Sequence, residues 1–84
     1  MNLTRLDLNT LLVFDAVLRE RSATRAARRL PMSQPAVSNA LSKLRHAFDD
    51  DLFVRSADGL RPTPRALELE APVGRALLEL EQAL

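Results

Sequence analysis

Apolar residues recur at helical spacing over residues 8–20, LNTLLVFDAVLRE, where Leu8, Leu11, Leu12, Phe14, Val17 and Leu18 share one broad face. That spacing predicts a first helix built to line a core. Residues 24–30, TRAARRL, predict a second, shorter helix with Ala26, Ala27 and Leu30 turned inward and Arg25, Arg28 and Arg29 on the other side. Pro31 ends it, because proline has no amide donor and restricts Leu30 before it. Ser33 then offers a cap, and Pro35 suits the opening turn of a third helix running from Gln34 to about Ala47. Within that helix Val37, Leu41, Leu44 and Phe48 follow i, i+4, i+7, i+11 spacing and form a second core-facing stripe.

Asp49, Asp50 and Asp51 interrupt the periodicity, and LFVRSADGLRPT follows with Asp58-Gly59 between two short extended runs. This predicts a hairpin, a wing, with Arg55 and Arg61 on its two sides and both in reach of a nucleic-acid backbone or minor groove; a structural hairpin with solvated arginines is the alternative. Pro62 limits the second strand to a short edge. Thr63 and Pro64 read as a cap and first helical position for a final helix to the chain end. Pro72 within it cannot donate to the carbonyl of Glu68, and Gly74 follows, so a kink or break is expected near residues 70–74. Beyond it Val73, Leu77, Leu80 and Leu84 repeat at four-three-four spacing, a stripe expected to meet a second copy or a downstream domain, with packing into the chain's own core as the alternative. The pattern reaches Leu84 without a C-cap, so these residues read as the amino-terminal portion of a longer protein. The expected division is a domain over residues 1–63 and a linker or dimerisation helix over 64–84.

With 84 residues, 46% of them hydrophobic and two glycines, the chain fits one small, ordered, helix-rich domain. It is too short for a large α/β fold with a buried catalytic cleft, and support from oligomerisation is expected. Cysteine is absent and His46 is the one histidine, which removes disulfides, thiolate metal sites and a multi-histidine cluster. No nucleophile sits in a motif with a histidine, no glycine-rich phosphate loop occurs and no metal spacing is found, so catalysis and a cofactor within these residues are not expected. The polar start MNLTRLDLN is unlike a signal peptide, and the apolar runs fall far short of the roughly 20 residues that span a bilayer, which predicts an intracellular protein with no membrane partner.

The formal charge of +1 conceals three blocks. Residues 1–18 carry one Arg and two Asp, residues 19–45 seven basic residues and one Glu, and residues 46–84 four Arg and eight acids. The middle block, Arg19, Arg21, Arg25, Arg28, Arg29, Lys43 and Arg45, suits phosphates, although such a run also serves as a solvated helix face. Opposite its apolar stripe, the third helix presents Gln34, Pro35, Ser38, Asn39, Ser42, Lys43 and Arg45 or His46. Short Ser and Asn side chains allow close approach to base edges, Gln and Asn pair with adenine, and the cations reach phosphate or guanine. A solvated polar face is the alternative for this helix taken alone.

The run ERSATRAARRLPMSQPAVSNALSKLRHAFDDDLFVR, with LRPTPRA after the turn, strongly resembles the amino-terminal DNA-binding domain of LysR-type transcriptional regulators, in the branch of the nodulation regulators. The resemblance spans essentially the whole chain. It implies a mainly α fold, a winged helix-turn-helix of three helices and a short β-hairpin wing, followed by a linker helix that pairs two chains. It places Gln34, Pro35, Ser38 and Asn39 toward the major groove, Thr24, Ser33, Lys43 and Arg45 on the DNA backbone together with Ser42 of the same polar face, and Arg55 in the wing. It also implies a carboxy-terminal domain, absent here, that senses a small-molecule effector. The implied partners are double-stranded promoter DNA and a second copy in a homodimer, with a tetramer for the full-length form, in the bacterial cytoplasm at the nucleoid. The expected function is a dimer reading an imperfect inverted repeat; the alternatives are DNA binding without sequence readout and a protein-interaction or dimerisation module. Two departures stand out: Asn39 where many relatives carry arginine, and Pro72 where many have an uninterrupted linker helix.

Overall fold

The computed structural model describes residues 2–84. A 3-10 turn at Leu3–Arg5 leads into α1 (Leu8–Glu20), α2 (Ala23–Arg29), α3 (Gln34–Phe48), β1 (Phe53–Ser56), β2 (Gly59–Pro62) and α4 (Pro64–Ala83). Each helix start carries a side chain that accepts from an otherwise orphaned backbone amide. Asp7 and Thr10 form a reciprocal capping box on α1, while Ser22, Ser33 and Thr63 accept from the amides of Arg25, Ala36 and Ala66. Pro35 and Pro64 occupy opening helical positions, where the missing donor costs nothing. Leu30 is extended at φ −102° and ψ 143°, the conformation that a following proline enforces, so α2 ends one residue earlier than the periodicity indicates.

Val13, Phe14 and Val17 of α1, Ala26 of α2, and Val37, Leu41 and Leu44 of α3 are buried together with Leu52, Phe53 and Ala66. Alanines at positions 26 and 40 let neighbouring backbones approach closely. The rings of Phe14 and Phe53 meet at 5.7 Å with a 50° tilt, fastening the base of the wing to α1. Three helices and a hairpin therefore share one core, with α4 laid along α1.

The hairpin pairs Phe53 with Pro62, Val54 with Arg61, Arg55 with Leu60 and Ser56 with Gly59. The two-residue turn is thus Ala57-Asp58, one residue before the expected Asp58-Gly59, and Gly59 begins β2 at φ +119°. The amide of Leu60 points away from β1 and donates to the carbonyl of Arg21 at 2.9 Å. Arg55 and Leu60 are therefore a non-hydrogen-bonded pair, and so, two residues along, are Phe53 and Pro62. Pro62 loses no ladder bond at that position.

The helix α4 continues through Pro72, so the chain does not break there. Pro72 and Glu68 both lie on the exposed side of the helix, where a carbonyl left without its amide donor can tilt toward solvent. Leu69 and Val73 pack against the core and Leu77 is half-buried, so the upstream part of the leucine stripe is used within the chain. Farther along, Leu78, Leu80 and Leu84 are 55%, 48% and 102% exposed. Leu77, Leu80 and Leu84 line an open groove whose other wall is Leu8, Leu12 and Ala16 of α1.

Candidate nucleic-acid interface

The helix α3 separates two chemistries by its periodicity. Val37, Ala40, Leu41 and Leu44 are buried, while Gln34, Pro35, Ser38, Asn39, Ser42 and Lys43 are all exposed and share the opposite side. Residues four apart stack along that side, giving a strip from Gln34 and Pro35 at the amino end to Lys43 nearer the carboxyl end. None of the polar side chains from Gln34 to Lys43 bonds to another part of the protein among the described residues, which leaves their donors and acceptors available. The exposed Ser33 precedes the strip, its Oγ accepting from the Ala36 amide at 3.2 Å, and Thr24 is exposed on the first turn of α2.

The other predicted cations divide. Arg45 is half-buried and donates from Nε to the carbonyl of Asp51 at 2.9 Å and from Nη2 to that of Phe53 at 3.4 Å. Its guanidinium braces the link between α3 and the wing. Arg55 and Arg61 are both exposed, but the register sets them on opposite faces of the hairpin. Arg55 shares its face with Phe53, Leu60 and Pro62, and Arg61 shares the outer face with Val54.

Most of the basic block is also engaged internally. Arg19 pairs with Asp15 at 3.2 Å, and Glu20 receives both Arg25 at 3.7 Å and Arg29 at 3.0 Å. Arg21 donates from Nε to the carbonyl of Leu18 at 2.7 Å. Of the seven basic residues between positions 19 and 45, Arg28 and Lys43 alone have no hydrogen bond or ion pair among the described residues.

The sequence pattern passes over a second set of residues that fix the site's shape. Asp50 Oδ2 accepts from the Thr63 hydroxyl at 2.7 Å and from the Leu52 amide at 2.8 Å. The Thr63 hydroxyl first, then the Leu52 amide, hold the Asp50 carboxyl below its ordinary value; the Arg65 charge adds to this and partial burial opposes it. Between them Leu52 sits at φ 61°, bridged by a bond of 2.6 Å from the Phe53 amide to the Asp51 carbonyl. This is a tight three-residue turn of the strained, positive-φ kind. Three successive aspartates follow α3, and nothing in their order singles out the one that clasps Thr63.

The profile of the bacterial regulatory helix-turn-helix proteins of the lysR family matches residues 8–67. The chain is 50% identical over 84 residues to the HTH-type transcriptional activator NagR of Ralstonia sp., covering 100% of this chain and 28% of that protein. It is 45% identical over 84 residues to nodulation protein D 1 of Bradyrhizobium sp. (strain NC92), covering 100% of this chain and 27% of that protein. Among solved structures, the DNA-binding domain of BenM in complex with catB site 1 DNA superposes with a TM-score of 0.86 at 27% identity, over 93% of this chain and 88% of that one. The chain thus spans little more than a quarter of these two curated relatives. Three core helices, a two-stranded wing, a further helix and this sequence agreement make the chain a member of the lysR family of bacterial regulatory helix-turn-helix proteins, related to the nodulation regulators.

Proposed function

We propose that this chain binds double-stranded promoter DNA in a sequence-specific manner as part of a transcriptional regulator, two copies setting α3 into successive major grooves of an imperfect inverted repeat. The observation that carries the reading is the uncommitted polar strip of α3, Gln34, Pro35, Ser38 and Asn39, backed by a rigid apolar face. Gln34 and Asn39 have the amide geometry for an adenine edge, while Pro35 and Ser38 keep the helix surface low enough to approach one. Ser42, Lys43, Ser33 and Thr24 flank the strip and hold phosphates, and the wing brings Arg55 and Arg61 to the duplex from its two faces. Arg45 contributes through the wing connection it braces. Support also comes from the superposition on a relative whose structure contains DNA.

The leucine stripe of α4 joins two chains through its open end, Leu80 and Leu84 with the half-buried Leu77, while Val73, at the start of the stripe, supports it from the chain's own core. A carboxy-terminal domain beyond the present residues senses a small-molecule effector and resets the pair's geometry on the promoter. This regulator acts in the cytoplasm, at the nucleoid; no described helix is long and apolar enough to cross a membrane.

Selection of duplexes from a random library by the 84-residue chain, followed by sequencing, tests the reading. Enrichment of an inverted repeat is expected, with Ser38→Arg lowering affinity for it about tenfold or more by displacing α3 from the groove. A folded protein that enriches no motif, and whose binding Ser38→Arg leaves unchanged, overturns it. A pure protein-interaction module, which the exposed leucines of α4 would also suit, shows association insensitive to salt and no duplex binding.

A further inference from the structure

A shallow depression lies at the carboxyl end of the α3 strip, lined by Arg5, Ser42, Lys43, His46 and Ala47. Four of these belong to α3, and Arg5 comes from the 3-10 turn at the start of the chain. Arg5 is anchored there: its Nη2 donates to the main-chain carbonyl of His46 at 3.4 Å. Neither Arg5 nor Lys43 has a carboxylate partner among the described residues, unlike Arg19, Arg25 and Arg29. No carboxylate lines the depression. Arg5, Ser42, Lys43 and His46 are all exposed.

We infer that Arg5 and Lys43, with the Ser42 hydroxyl and the His46 ring, form a phosphodiester-binding site for the duplex backbone. It holds the strand that α3 meets as it leaves the major groove. The inference rests on the proposed DNA binding and adds a contact from outside the helix-turn-helix and the wing. The chemistry matches the ligand: a guanidinium fork and an ammonium supply charge and several donors, and a hydroxyl and a ring N–H complete the set around a tetrahedral anion. The geometry matches as well, because the depression continues the line from Pro35 through Asn39 to Ser42 and Lys43. A helix whose opening turn reads bases carries its later turns out toward a flanking phosphate. The Arg5 bond to the His46 carbonyl ties the amino-terminal turn to α3 and sets Arg5 at the same depression as Lys43.

Binding of the wild-type, Arg5→Ala and Arg5→Lys chains to a motif-bearing duplex and to a scrambled duplex, over a series of salt concentrations, tests the inference. Arg5→Ala is expected to weaken both complexes by a similar factor, about three- to tenfold at low salt, and to reduce the slope of log affinity on log salt by about one per bound chain. Arg5→Lys retains the charge and keeps the wild-type slope. Thermal melts by circular dichroism establish that the exposed substitution leaves the fold intact. If the wild-type chain binds duplex and Arg5→Ala matches it in affinity and slope, the phosphate site is refuted while the proposed function stands. If the folded wild-type chain binds no duplex, both fall.

Discussion

A methyl group added to Gly59 would lie 2.5 Å from the carbonyl oxygen of Arg21, and the backbone there has φ +119°. Both conditions exclude a side chain, because the neighbour is backbone and cannot rotate away. The same carbonyl accepts the Leu60 amide, so any retreat breaks a hydrogen bond as well. Gly59→Ala is expected to cost on the order of 2 kcal/mol and to lower the melting temperature by about 10 °C, measured by thermal circular dichroism. An unchanged melt would show that the wing yields there without cost. Aspartate followed by glycine signals a hairpin in the sequence, and a hairpin is present. The one-residue displacement of the turn arises because a tertiary approach, the end of α1 against β2, claims the glycine for the strand. Local turn chemistry cannot register a neighbour 38 residues away; neither could it single out Asp50 among three aspartates or bring Arg5 to the end of α3.

At the level of elements, the joint between α3 and the wing is where charge enters the fold. Asp50 holds Thr63 and Leu52 from one side, and Arg45 holds the Asp51 and Phe53 carbonyls from the other. Because the carboxyl of Asp50 is held below its ordinary value, its ionised form favours the folded chain. That contribution is complete above the unfolded value and disappears as pH falls through the folded one. Urea midpoints are therefore expected to drop on acidification toward pH ~3, with Asp50→Asn less stable than wild type at pH ~7 and losing less over the same interval. Equal pH profiles for the two chains would remove Asp50 from that role. Helix boundaries were legible because caps and prolines are local: Ser33, Pro35, Thr63 and Pro64 mark starts that the structure realises. The roles of cations were less legible. A sequence displays charge, whereas the pairing of Arg25 and Arg29 with Glu20 depends on how α1 and α2 cross.

For the whole molecule, the groove between α1 and the end of α4 leaves leucines open on the side away from the core. Placing a charge in that apolar wall is expected to separate association from folding. Leu80→Glu should retain the helical signal and melt of the monomeric unit but lose dimer in analytical ultracentrifugation, with weaker binding to an inverted repeat; a dimer of wild-type strength would exclude this face. The leucine periodicity pointed to this face from the sequence, but Val73 and Leu69 are absorbed by the chain's own core, which only the packing of α4 on α1 reveals. The internal pairing of the arginines bears on how such a protein behaves among the vast excess of irrelevant genomic DNA. Asp15 offsets the charge of Arg19, and the one carboxylate of Glu20 is shared by Arg25 and Arg29, so these pairs leave less net positive charge to displace counterions from random duplex. Under the proposed function, residence on arbitrary sequence is expected to be correspondingly brief, so that a search spends its time moving between sites rather than lodged on the wrong ones.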